Sequence, residues 1–291
     1  MANRIPSELE TEVRRRFSEL FEKNKTVEGI YKKIRQGIAT YDDASVFSEE
    51  IGKILTDVFG KIDLSNVDLN DLAFNIVGNA LNQNISLSNL VCESVQSALN
   101  ESAGIGLNPV IPKADPRRIE GIQNLVYEAK DENALRNILN EPIVTNVMAN
   151  VDDWVKTNAE FQREAGLHPV IVRTWSGSRP SHDTKHTDWC EGLAGTYEYN
   201  SRMDKDVFKR HEGCRCRVEY FPDNKSKGRI AALSKGEKDT NQSLYNTGKF
   251  TSTRRKSILE QRRKIYGREE ARKILNAEWQ GGLNGNAERH F

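Results

Sequence analysis

The chain has 291 residues, with 43 Lys plus Arg against 42 Asp plus Glu, 37% hydrophobic residues and 29% charged ones. That length suits one large domain or two ordinary ones, and the composition suits a soluble globular protein. No apolar run approaches the roughly 18 to 20 residues of a membrane helix, and the amino terminus lacks the apolar core of a secretory signal, so neither a membrane span nor export is expected. The net charge of +1 conceals an asymmetry: residues 1–150 carry 16 basic and 22 acidic side chains, and residues 151–291 carry 27 and 20. A basic second half is what an anionic partner would meet.

From the start to about residue 165 the apolar residues recur at helical spacing. Leu9, Val13, Phe17, Leu20 and Phe21 form the first stripe, and Ser7 followed by Glu10 reads as a capping box. Val27, Ile30, Tyr31 and Ile34 form the next, and Thr40 to Asp43 reads as a break. Further stripes run from Phe47 to Ile62, from Leu69 to Ala80 and from Leu87 to Leu99. Glycines and prolines between Ala103 and Pro116 mark a connection, and Asp115-Pro116 suits the start of another helix. A short helix around Leu135 to Leu139 and a longer one from about Val144 to Glu164 complete a bundle-like region. After Gly166 the texture changes. His168 to Trp175 and Arg217 to Phe221 are short and rich in β-branched or aromatic residues, which predicts two strands flanking a polar, glycine-containing segment. The fold class expected is therefore α+β and predominantly α: a helical region over 1–165, a small α+β module over 166–222, and a linker with a basic helical extension over 223–291.

Three of the four cysteines fall between residues 190 and 216. Cys190 and the run His211-x-x-Cys214-x-Cys216 supply the thiol and imidazole donors that zinc binds in a tetrahedron. The candidate ligands are Cys190, His211, Cys214 and Cys216, with His186 as the replacement if His211 points away. Four protein ligands leave no position for substrate or water, so such a site would be structural. The alternative is a set of buried thiols or a disulfide beneath a small sheet. Cys92, on an apolar helical face, reads as a core residue.

At these residues the sequence resembles the phage head morphogenesis family, the minor head or minor capsid proteins of the Mu F type. The elements are Asp188-Trp189-Cys190, then Leu193 to Tyr197, then His211-Glu212-Gly213-Cys214-Arg215-Cys216 leading to Val218. They cover about 50 residues, from His168 to Tyr220. Many relatives carry Cys-x-x-Cys at the first element, and here Thr187 stands where the first of those cysteines falls. That leaves His186 as a candidate substitute. The resemblance implies a virion protein of the phage head, made in the bacterial host cytoplasm and acting with the portal or major capsid protein in head assembly or genome delivery. Large helical regions ahead of the module are common in that family.

Between Arg254 and Lys273 lie nine basic residues, among them Arg254, Arg255, Lys256, Arg262, Arg263 and Lys264. Such a run can neutralise phosphates of double-stranded DNA without reading sequence. A solvated helix face, with pairs such as Glu260 and Lys264, is the alternative. A metal-dependent nuclease would draw on His182, Asp183, His186 and His211, and Cys190 with His211 would make a thiolate pair. No Walker-type phosphate loop and no Gly-x-Ser-x-Gly turn is present in the sequence. The expectation is a structural protein, with an enzyme or a prophage-encoded regulatory protein as the alternatives.

Overall fold

Polar caps set where the amino-terminal helices begin. The computed structural model describes residues 7–102, 108–165, 167–176, 185–200 and 202–222. Ser7 accepts a hydrogen bond from the Glu10 N–H at 3.2 Å and starts helix α1 (Glu8–Lys23), satisfying one of the donors a first turn leaves open. Val13, Phe17 and Phe21 form its buried stripe. Asn24 then caps α2 (Lys25–Gln36) through the Val27 N–H, and Gly37 ends it at φ 70°, a left-handed conformation that lacks a Cβ clash only for glycine. The break expected at Thr40 to Asp43 is the start of α3 (Tyr41–Lys61), where Thr40 and Asp43 close a reciprocal capping box.

The two stripes expected over 69–80 and 87–99 belong to one continuous helical run. Residues Asp71–Val77 have π-helical spacing and pass directly into α4 (Gly78–Ser102). Asp115 caps α5 (Pro116–Tyr127) with Pro116 in the first turn, as the sequence predicts. The short α6 (Glu132–Ile138) follows, and then α7 (Glu141–Glu164), which packs against both α3 and α4. The approach of α3 to α7 is close because residue 52 is glycine: a Cβ there would lie 2.9 Å from the Val144 Cα. A buried polar seam runs through the same interface. Trp154 and Asn150 both donate to Asn89 Oδ1, at 2.7 and 2.8 Å, and Asn150 also reaches Ser88, which bonds Ser48 at 2.8 Å. Satisfied polar groups of this kind fix which helical turns lie opposite one another.

Three strands follow the bundle: β1 (Val170–Thr174), β2 (Gly195–Glu198) and β3 (Arg217–Phe221), antiparallel in the order β2-β1-β3. Helix α8 (Lys185–Gly192) precedes β2, and a 3₁₀ turn (Lys205–Phe208) precedes the approach to β3. The two expected strands are β1 and β3. The third, β2, has only four residues and no buried alternation to announce it. Register places Ile171 opposite Tyr197 and Tyr220, and Arg173 opposite Gly195 and Val218. That face joins the core of the helices: Ile171, Val218 and Tyr220 belong to the same apolar cluster as Val151 and Trp154. Tyr220 bonds Gln162 of α7, and Gln162 continues through Asn100 and Gln96 to Tyr41 of α3.

The structure thus has the predominantly helical α+β architecture that the sequence predicts. The basic extension, including Arg254, Arg255, Lys256, Arg262, Arg263 and Lys264, lies outside the described residues.

On β3, half-buried Glu219 sits near Asp42 and Asp43 at the start of α3. Burial first, then those two carboxylates, push its carboxyl up to about 8 from the ordinary 4.5, although Arg217 opposes them. The folded chain therefore holds a proton that the unfolded chain releases. The stability this contributes is complete below about pH 4.5 and is lost as pH rises through 8. Glu219→Gln should flatten that slope and raise the melting temperature at pH 8 more than at pH 5, as followed by circular dichroism.

Candidate metal centre

Local backbone geometry explains why Cys-x-Cys converges on one point. Cys214 and Cys216 lie in the extended approach to β3, where residues two apart point to the same side. Arg215 between them points the other way and pairs with Glu141 at 2.6 Å and Glu49 at 3.3 Å, on α7 and α3. Ahead of them the chain reverses in a tight turn, with the Cys214 N–H bonded to the His211 carbonyl at 3.1 Å and Gly213 at φ 72°. Glycine at the third position of such a turn is what a type II geometry requires. The Gly213 N–H donates to Thr145 Oγ1 of α7 at 3.1 Å, so the turn is held to the bundle by main chain as well.

Cys190 arrives from the last part of α8. Its sulfur, with those of Cys214 and Cys216, forms a buried group within 4.8 Å, a set that can hold a metal ion. Cys190 and Cys214 are 3.7 Å apart between sulfurs, and all four cysteines, Cys92 included, are free thiols, so the disulfide alternative does not apply. His211 reaches the group from the side of Cys190, with Nε2 3.1 Å from that sulfur. Its Nδ1 lies 2.7 Å from the Glu212 carbonyl oxygen. A carbonyl only accepts, so a hydrogen bond there puts the proton on Nδ1 and leaves Nε2 to face the Cys190 sulfur with its lone pair. This is the arrangement of a metal-ligating histidine.

Three of the candidate ligands, Cys190, Cys214 and Cys216, are therefore brought together, and the fourth, His211, stands beside Cys190 without joining the group that the three sulfurs form. His186 lies on the backbone of α8, and its side chain is outside the described residues, as are His182 and Asp183.

Two buried arginines, neither singled out from the sequence, organise the surroundings. Arg210 forms a bidentate pair with Asp152 of α7, both side chains 1% exposed, with the second contact at 2.8 Å. Its remaining N–H groups donate to the carbonyls of Cys216, at 2.6 Å, and Cys214. Arg173 of β1 donates to the carbonyls of Val207 and Lys209, and its other terminal nitrogen lies 3.6 Å from the Cys190 sulfur and 3.8 Å from that of Cys214. Trp189 covers it, with the guanidinium carbon 5.9 Å from the ring centre.

These charges bias the thiols. The Cys216 hydrogen bond, then Arg210 and Arg173, hold the Cys214 thiol well below the ordinary range, while donation to Cys214 pushes Cys216 up. Burial and the neighbouring Cys214 push Cys190 up. Asp152 had a visible signal in retrospect: helical spacing puts it on the face of Met148 and Val155. Arg173 had one too, as the charged residue in an otherwise β-branched strand.

No family model, curated protein or solved structure matches this chain.

Removing one partner of a desolvated ion pair leaves the other charge buried. Asp152→Ala should cost about 3–5 kcal/mol in denaturant unfolding. Asp153→Ala, which releases the partly exposed Arg118, should cost less than about 1 kcal/mol.

Proposed function

We propose that the protein is a phage minor head protein of the Mu F type, structural rather than catalytic, with zinc closing its Cys190, His211, Cys214 and Cys216 site. The observation that carries this reading is spatial. Cys190, Cys214 and Cys216, all in the stretch that resembles the family, meet in one buried sulfur group although 24 positions separate Cys190 from Cys214, and His211 stands beside Cys190.

The donor chemistry suits zinc. Two thiolates at about 2.3 Å from one tetrahedral ion lie about 3.8 Å apart, and Cys190 and Cys214 are 3.7 Å apart. His211 Nε2 lies 3.1 Å from the Cys190 sulfur but outside the group that the three sulfurs form within 4.8 Å, so its ring would swing toward Cys214 and Cys216 to complete the set. When bound, zinc supplies a crosslink between α8 and the approach to β3. Three thiolates and one imidazole complete its shell, which favours a folding role over hydrolysis.

In this reading the helical region offers the surfaces that dock near the portal or the major capsid protein, and the crosslinked module holds its contact surface in one conformation. The basic residues Arg254, Arg255, Lys256, Arg262, Arg263 and Lys264 contact packaged double-stranded DNA. Among the described residues no helix is long and apolar enough to cross a membrane.

Mass spectrometry of purified virions should find the protein in heads, and its absence from particles would refute the assignment. Elemental analysis should find one zinc per chain, lost in Cys214→Ser together with cooperative unfolding. A metal-free, cooperatively folded protein would sink the zinc site. Deleting residues 253–291 should abolish a salt-sensitive, sequence-independent DNA shift, whereas the full chain failing to bind at low salt would exclude the contact.

A further inference from the structure

Arg173 is 1% exposed, yet none of its hydrogen-bond partners is a carboxylate: they are the Val207 and Lys209 carbonyls and the sulfurs of Cys190 and Cys214. Its Nε is buried without any hydrogen-bond partner. Asp152, the buried acid beside this cluster, is already taken up in the bidentate contact with Arg210. Arg173 is thus left without a carboxylate partner of its own in a region closed to water, and a buried charge without a counter-charge is strongly unfavourable.

The sulfurs answer this imbalance. A divalent cation held by three thiolates and one neutral imidazole carries one net negative charge. Together with Asp152 it balances Arg173 and Arg210, whereas a trivalent cation in the same set would leave the two arginines one positive charge in excess.

We infer that Arg173 is a positioning residue for the metal site, its guanidinium supplying the counter-charge and sulfur hydrogen bonds that let a closed three-thiolate, one-imidazole set hold a divalent cation. This rests on the zinc reading above. Arg173 touches no metal. It acts through Cys190 and Cys214, orienting both sulfurs from β1 while α8 and the turn before β3 supply them. Trp189, packed over the guanidinium and edge-on to the His211 ring at 6.2 Å, shields this contact from solvent. Partners outside the ligands commonly change metal affinity by about 10- to 100-fold.

The test measures zinc affinity by chelator competition on the full chain, with cobalt(II) absorption reporting thiolate ligation. Arg173→Gln keeps polar contact and removes charge, and should weaken affinity by about 10- to 100-fold. Arg173→Lys keeps the charge and should recover most of the loss, which a purely space-filling role would not produce. Because the weakened site still saturates in excess metal, both variants should unfold cooperatively when zinc is abundant. Unchanged affinity in Arg173→Gln, a lysine variant as weak as the glutamine one, or variants that stay unfolded in excess zinc would each overturn the inference. If the unaltered protein binds no metal, the zinc reading itself fails, and that result is distinct from all three.

Discussion

The paired charges of Asp152 and Arg210 are the contact on which the carboxy-terminal part of the structure depends. Both side chains are withdrawn from water, so the pair exists only because its geometry is bidentate and because Arg210 spends its other donors on the Cys214 and Cys216 carbonyls. Desolvating such a pair gains little net stability over an apolar contact. What it gives is position: one helix, α7, dictates where the main chain of the cysteine turn must lie. Thr145 on the same helix holds the Gly213 N–H, and Glu141 holds Arg215. Three points spaced along α7 thus align the turn before any ligand is considered.

From that alignment the donor set follows. An extended Cys214-x-Cys216 directs two thiols one way and Arg215 the other, and the glycine turn brings His211 back beside Cys190. Cys190 comes from a separate helix and Arg173 from a separate strand, so the site joins three pieces of chain that the sheet register alone would not bring together. The small sheet also has no core of its own on the inner face. Ile171, Val218 and Tyr220 complete the core of the bundle, and the buried chain from Tyr220 through Gln162, Asn100 and Gln96 to Tyr41 ties the sheet to α3 and α4. A metal crosslink beside such an interface would tie α8 to the approach to β3.

Much of this was legible in the residues. Helical spacing located the buried stripes, Ser7 and Asp115 marked helix starts, and β-branched density marked β1 and β3, because each of these signals is local, whereas the capping box of Thr40 and Asp43 reads in the sequence as a break. The thiol group of Cys190, Cys214 and Cys216 was legible because metal-binding chemistry restricts the residue types. What escaped depends on distance. Strand β2 is four residues long and is made a strand by pairing with β1, not by its own composition. The π-helical start of the run into α4 is a matter of packing. The pairing of Asp152 with Arg210 spans 58 positions, and Arg173 meets Cys214 across 41, separations at which a charged residue in an apolar pattern signals something buried without naming its partner.

The central claim is that a three-sulfur, one-nitrogen set closes around zinc against the bundle. X-ray absorption at the zinc edge of the purified full chain tests it most directly. The account predicts a four-coordinate spectrum with three sulfurs at about 2.3 Å and one nitrogen at about 2.0 Å. A shell dominated by oxygen, or protein that folds without zinc and gives no edge, would contradict it.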